Sequence, residues 1–151
     1  IVIPSQNDPN FFNKIDKKYN FNAVFIYHNI HAEEPQLLFH LINTDRYGLV
    51  YLDSYVMIFL KNNENNKDLI RKFAVTQKSF YLQGNESLKA IAEYIILFDK
   101  IGWVDHEKKA YENLYKRDAS VCSLRQQLQK NSRGYQELKN IKNLPTTKCY
   151  F

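Results

Sequence analysis

Residues 23–61, AVFIYHNIHAEEPQLLFHLINTDRYGLVYLDSYVMIFLK, decide the fold of this chain. Ala23-Val24-Phe25-Ile26-Tyr27 is an apolar run of strand length, continuous rather than alternating, which predicts a strand covered on both faces. Glu33 and Glu34 suit a helix's first turn, where negative charge meets the positive end of the dipole. Pro35 is tolerated there because the N–H groups of that turn lack carbonyl partners. Leu37, Leu38, Leu41 and Ile42 supply the buried stripe, and Asn43-Thr44-Asp45 stops the helix. Leu49 to Leu52 and Tyr55 to Leu60 read as two strands, with Asp53-Ser54 as the tight turn of an antiparallel hairpin. The order strand, helix, strand, strand predicts a small mixed sheet with a parallel first pair and a right-handed crossover. The fold class is therefore α/β (α+β).

On the N-terminal side, Asn7-Asp8-Pro9 reads as a turn and helix start. Phe11, Phe12, Ile15 and Tyr19 then fall at helical spacing, and Asn20 to Asn22 breaks the helix. On the other side, Asn62 to Asn66 is a polar loop, and Asp68 to Thr76 reads as a short helix or irregular segment. Gly84-Asn85 closes the α/β unit, which makes residues 1–84 one domain. From Glu86 the pattern is helical. Leu88, Ile91, Ala92, Ile95 and Ile96 form one stripe, Lys100 to Trp103 a break, and Ala110, Tyr111, Leu114 and Tyr115 a second stripe. Val121, Leu124, Leu128, Tyr135, Leu138 and Ile141 continue it. Residues 85–151 are thus expected to form a subdomain of antiparallel helix pairs with short connections. The phrase AYENLYKRDAS resembles the second helix of a tetratricopeptide unit, with Tyr111, Leu114 and Ala119 at packing positions.

Eleven Tyr and ten Phe, against only four Gly and four Pro, exclude a disordered chain, which lacks the apolar bulk to offset backbone entropy. No apolar run approaches the roughly 20 residues that span a bilayer. The net charge of +5 is uneven. Residues 1–99 hold 10 Lys/Arg against 11 Asp/Glu, whereas residues 100–151 hold 11 against 5. A basic helical surface made of Lys108, Lys109, Lys116 and Arg117 is expected beside Trp103. It could meet an anionic membrane, where each cation is worth on the order of 1 kcal/mol and an indole favours the headgroup level. The plain alternatives are a solvated helical face for the charges and a packing residue of the helix connection for Trp103. Sequence-specific nucleic-acid binding is not expected, because the tyrosines lie in apolar stripes and do not interleave with basic residues.

Chemistry-bearing constellations do not assemble. His28 and His31 are three apart, but one ends a strand and the other starts a loop, and no acidic or cysteine set completes a metal site. Glu33 and Glu34 are sequence neighbours that point apart, unlike the opposed carboxylates of glycosyl chemistry. Asp53 reads as a hairpin residue rather than a general base. Cys122 has neither a Gly-rich elbow nor an assignable base. No phosphate-binding glycine motif is present, so no nucleotide cofactor is implied. Cys122 and Cys149 match no metal spacing; they could pair outside the cytoplasm and would stay free thiols inside it. No catalytic residue, metal or cofactor is expected.

The phrase running from Lys17-Lys18-Tyr19 into NAVFIYH, and the phrase YGLVYLDSYVMIFLKN followed by DLIRKFAV, resemble a known family. They are similar to the water-facing domain that follows the last membrane span in GT-C superfamily glycosyltransferases, the relatives of protein mannosyltransferases. The resemblance covers roughly residues 8–75. Where that family places a tryptophan before the penultimate strand, this chain has Arg46-Tyr47. The resemblance implies a non-catalytic extracytoplasmic accessory domain that shapes acceptor access or touches the membrane surface, with the acceptor-activating acid and the lipid-linked donor site elsewhere in a parent protein. The competing expectation is a free-standing soluble interaction protein, such as an effector, immunity factor or viral accessory protein.

Overall fold

The computed structural model describes residues 8–27 and 36–117, and it divides between Phe80 and Tyr81 into two compact units. The first is a three-stranded sheet with helices. Helix α1, Pro9–Tyr19, starts where the Asp8 carboxylate accepts a hydrogen bond from the Asn10 N–H at 2.8 Å. Pro9 follows at the first helical position, where its missing N–H costs nothing. The helix ends at Asn20, whose left-handed backbone (φ 51°) suits an asparagine. Strand β1 is Ala23–Tyr27, helix α2 Gln36–Ile42, strand β2 Tyr47–Leu52, strand β3 Val56–Lys61 and helix α3 Lys67–Phe73.

The mixed α/β class matches the sequence pattern, but the sheet topology corrects it. The strand order is β1-β3-β2 and both pairings are antiparallel. β1 and β2 run the same way yet are not neighbours, because β3 sits between them. The reason lies in the hairpin. The Asp53 turn pairs β3 with β2 and leaves one open edge on each strand; β1 takes the one on β3, so the apolar VMIFL run is bonded on both sides.

One sheet face carries the core. Met57 and Phe59 are wholly buried, and Ile26 and Leu52 nearly so, against Leu37, Leu38 and Leu41 of α2 and Phe12 of α1. Each such side chain contributes about 1.5–3 kcal/mol. A bulge between Leu49 and Tyr51 shifts the β2 register, so that Leu49 opposes Phe59 and Tyr51, not Val50, opposes Ile58. At the start of β2 there is no room for a side chain: a Cβ on Gly48 would come within 2.8 Å of the Ile70 side chain of α3. Gly48 is thus what lets α3 lie against the sheet.

The second unit contains helices α4, Leu88–Ile101, and α5, Val104–Arg117. Ser87 caps α4 by accepting from the Ala90 N–H at 3.1 Å. At the far end Gly102 takes a left-handed φ of 75°. Its N–H donates to the Asp99 carbonyl, and the Trp103 N–H donates back to the Phe98 carbonyl at 2.8 Å. This pair of bonds is a Schellman stop, and the hydrophobic contact it calls for is present: the Trp103 and Phe98 rings lie 5.9 Å apart and 15° from parallel. The Trp103 carbonyl then accepts from the His106 and Glu107 N–H groups, which opens α5. A single tryptophan therefore ends one helix and starts the next. No helix among the described residues is long and apolar enough to cross a membrane.

Candidate functional site

Two features of the α/β unit stand out from its core. The first is a buried carboxylate. Asp16 lies on the inner side of α1, fully buried. It accepts hydrogen bonds from Arg46 Nη2 at 2.5 Å, Tyr47 Oη at 2.8 Å, Lys61 Nζ at 2.9 Å and the Phe21 N–H at 3.1 Å. Burial alone would raise its pKa. The hydrogen bonds of Lys61 and Tyr47 and the charges of Lys61 and Arg46 outweigh that and hold it below the usual carboxylate value. The partner phenol moves the other way, since burial and then the Asp16 hydrogen bond push Tyr47 well above its ordinary value. A buried anion held below its usual pKa by two cations and a phenol is a poor acceptor for a substrate proton. It is a tie, joining α1 to the start of β2 and the end of β3.

Next to it, Asn66 is buried and saturates its amide. Its Nδ2 donates to Asn22 Oδ1 and to the Lys61 carbonyl, both at 2.9 Å, which orders the loop after β3. Asp53 is likewise committed to the hairpin. Its Oδ1 accepts from the Tyr55 and Val56 N–H groups, both at 2.7 Å, and its Oδ2 accepts from Tyr51 Oη, which raises the Tyr51 pKa.

The second feature is the outer face of the sheet. In the ladder Phe25 lies opposite Ile58 and Tyr27 opposite Val56, while Tyr51 flanks Ile58 from the other side. Phe25 is 69% exposed, Tyr27 65% and Tyr51 46%. Tyr55 extends the patch, its ring 6.4 Å from that of Tyr27 and within 8° of parallel. Helix α3 covers only the Gly48 end. The continuous apolar run of β1 had implied a strand covered on both faces. The expectation is corrected by Phe25 and Tyr27, because α1 and α2 pack on the other face of the sheet.

The residues singled out from sequence fall elsewhere. Lys109, Lys116 and Arg117 are exposed on α5 and Lys108 is partly so. Arg117 is tethered, donating to the Glu86 carbonyl. Lys109 and Lys116 do share a face, but exposed Asp105 and Glu112 alternate with them along it. Trp103 does not stand beside them as an interfacial anchor. It is only 7% exposed, packed on Phe98 and His106, so the headgroup role is replaced by the helix turn it builds. Tyr111 and Leu114 are buried as the helical spacing implies. His28, His31, Glu33, Glu34, Ala119, Cys122 and Cys149 lie outside the described residues. Among the described residues no group of His, Cys, Asp or Glu could hold a metal ion.

Sequence reasoning missed the Asp16–Arg46–Tyr47–Lys61 centre altogether. The available signal was Asp16 on the same helical face as Phe12, where a carboxylate belongs only if cations meet it. Comparison with protein-family models, with curated proteins and with solved structures found no match.

Proposed function

We propose that this chain is a non-catalytic binding module, the water-facing accessory domain of a GT-C-like membrane glycosyltransferase. On this reading it lies on the extracytoplasmic side, and its outer sheet face meets the body of the parent protein. The observation that carries the proposal is the aromatic face. Phe25, Tyr27 and Tyr51 leave open a patch of the size that marks interaction surfaces on ordinary proteins, a few hundred Å². The commitment of Asp16 and Asp53 to structure supports binding over catalysis in this unit.

The test has two arms. Sequencing the reading frame upstream of the Ile1 codon should reveal several long apolar segments; a start codon a few residues upstream would move the assignment to a free-standing interaction protein. In the full-length protein, cysteine pairs joining position 27 or 51 to water-facing loops of the membrane body should crosslink. Purified chain should transfer no sugar from a lipid-linked donor. Robust turnover abolished by one point mutation in it would overturn the proposal.

A further inference from the structure

The outer edge of β1 carries information that the sheet face does not. The Lys61 N–H donates to the Asn22 carbonyl at 2.9 Å, which makes Asn22 and Lys61 a hydrogen-bonded pair of the antiparallel ladder. Such pairs recur every second residue, so Val24 and Ile26 also direct their backbone groups to β3. The N–H and C=O groups of Ala23, Phe25 and Tyr27 then point away from the sheet. Among the described residues no strand pairs with that side. The opposite edge differs, for there the Val75 N–H donates to the Leu49 carbonyl at 2.9 Å and so covers part of β2.

A row of alternating donors and acceptors is satisfied by one kind of ligand, an extended polypeptide strand. Open edges normally carry a charge, a proline or a bulge that discourages pairing with another copy. From Asn22 to Tyr27 β1 has no charge and no proline, and its ladder with β3 is regular. We infer that β1 pairs antiparallel with β1 of a second copy of this chain, across a two-fold axis at Phe25. Phe25 then faces the partner's Phe25, and Ala23 faces the partner's Tyr27, each pair exchanging bonds in both directions. Val24 faces the partner's Ile26 on the helix side. The rings of Phe25 and Tyr27 become one aromatic strip running across both copies.

The pairing is weak. The edge is only five residues long, Ala23–Tyr27, so it buries little area. A stable dimer buries about 800 Å² on each partner. The inference does not rest on the glycosyltransferase reading, since the edge rather than the face carries it.

The experiment is sedimentation velocity on the full chain from about 10 μM to about 1 mM. Wild type should shift from monomer toward dimer as concentration rises. Phe25→Lys and Phe25→Glu place like charges directly opposite each other, so each variant alone should stay monomeric. Mixed in equal amounts they should recover a dimer at least as well populated as wild type, because residue 25 meets residue 25. Both should keep the wild-type circular dichroism spectrum and melting profile, since this side chain is mostly in solvent. Tyr51→Lys, on the other edge strand, should associate as wild type does. A wild type monomeric throughout, single variants that still dimerise, or a mixture that remains monomeric would each overturn the inference.

Discussion

The α/β unit and the helical unit are both rich in aromatic residues and place them in opposite ways. In the helical unit Tyr94, Phe98, Trp103 and Tyr111 are all at least nine-tenths buried, and the exposed charges of α5 alternate in sign. In the α/β unit Phe25 and Tyr27 stand in solvent on the sheet's outer face. Topology decides the difference. A helix hairpin offers one stripe per helix for burial, and its aromatic residues follow that stripe. A three-stranded sheet has two faces, and helices α1 and α2 pack on only one of them. Side-chain type alone does not say which face is covered.

The sharpest way to break this comparison is to remove the helical unit's aromatic pivot. Trp103→Ala should destabilise that unit by about 3–5 kcal/mol, the usual cost of losing a buried tryptophan. Hydrogen exchange should show lost amide protection across residues 88–117, with the strands of residues 23–61 unchanged. Loss of protection in both regions would mean that the two units do not stand apart energetically.

Next in size is the polar centre. Asp16→Asn should cost the α/β unit about 2–3 kcal/mol, somewhat less than a wholly buried pair because the Arg46 side chain is 46% exposed. The sign of the pH effect follows from the lowered Asp16 pKa. The stabilisation is fully present above the unfolded value, about 3.9, and is lost as pH falls through the lower folded value. Wild-type stability should therefore drop in acid, and the Asn variant should give a flatter acid limb in urea titrations. Parallel acid limbs would remove Asp16 from the account.

Gly48→Ala sharpens the comparison more gently. The added methyl meets Ile70 too closely, so about 1–2 kcal/mol of overpacking strain is expected, released by lifting α3. Limited proteolysis should cut residues 67–75 sooner than in wild type, with the β2–β3 hairpin intact. The smallest effect belongs to α5. Any attachment to anionic vesicles through Lys109 and Lys116 should be weak. It should fade as salt shortens the Debye length from about 10 Å at 0.1 M to about 3 Å at 1 M. Reversing both charges should abolish it. Equal recovery with neutral and anionic vesicles would leave the alternating charges as a solvated face.

Much of the local structure was legible in the residues because its causes are local. Pro9 after Asp8, the apolar run of β1, the Asp53 turn and the break at Gly102 each depend on a few neighbours. What escaped depends on partners far along the chain. Asp16 meets Arg46, Tyr47 and Lys61 from 30 to 45 positions away, and no spacing rule joins them. The strand order escaped for a related reason. A strand–helix–strand pattern fixes that β1 and β2 run the same way, but not whether a third strand enters between them. Glu93 and Glu107, buried in the helical unit, also run against the ordinary expectation for charged residues. The aromatic face was misjudged because a continuous apolar run looks the same whether its second side is covered or open.

The chain has one tryptophan, Trp103, and it sits in the turn between α4 and α5, with the His106 ring 5.5 Å away. Its emission therefore reports on the helical unit, where it packs against Phe98 and His106. Tyrosines, by contrast, are shared between the units, five in residues 1–80 and six in residues 81–151, and report on neither alone. Excited at the long-wavelength edge of the indole band, the unlabelled polypeptide thus carries its own thermometer for the turn between α4 and α5.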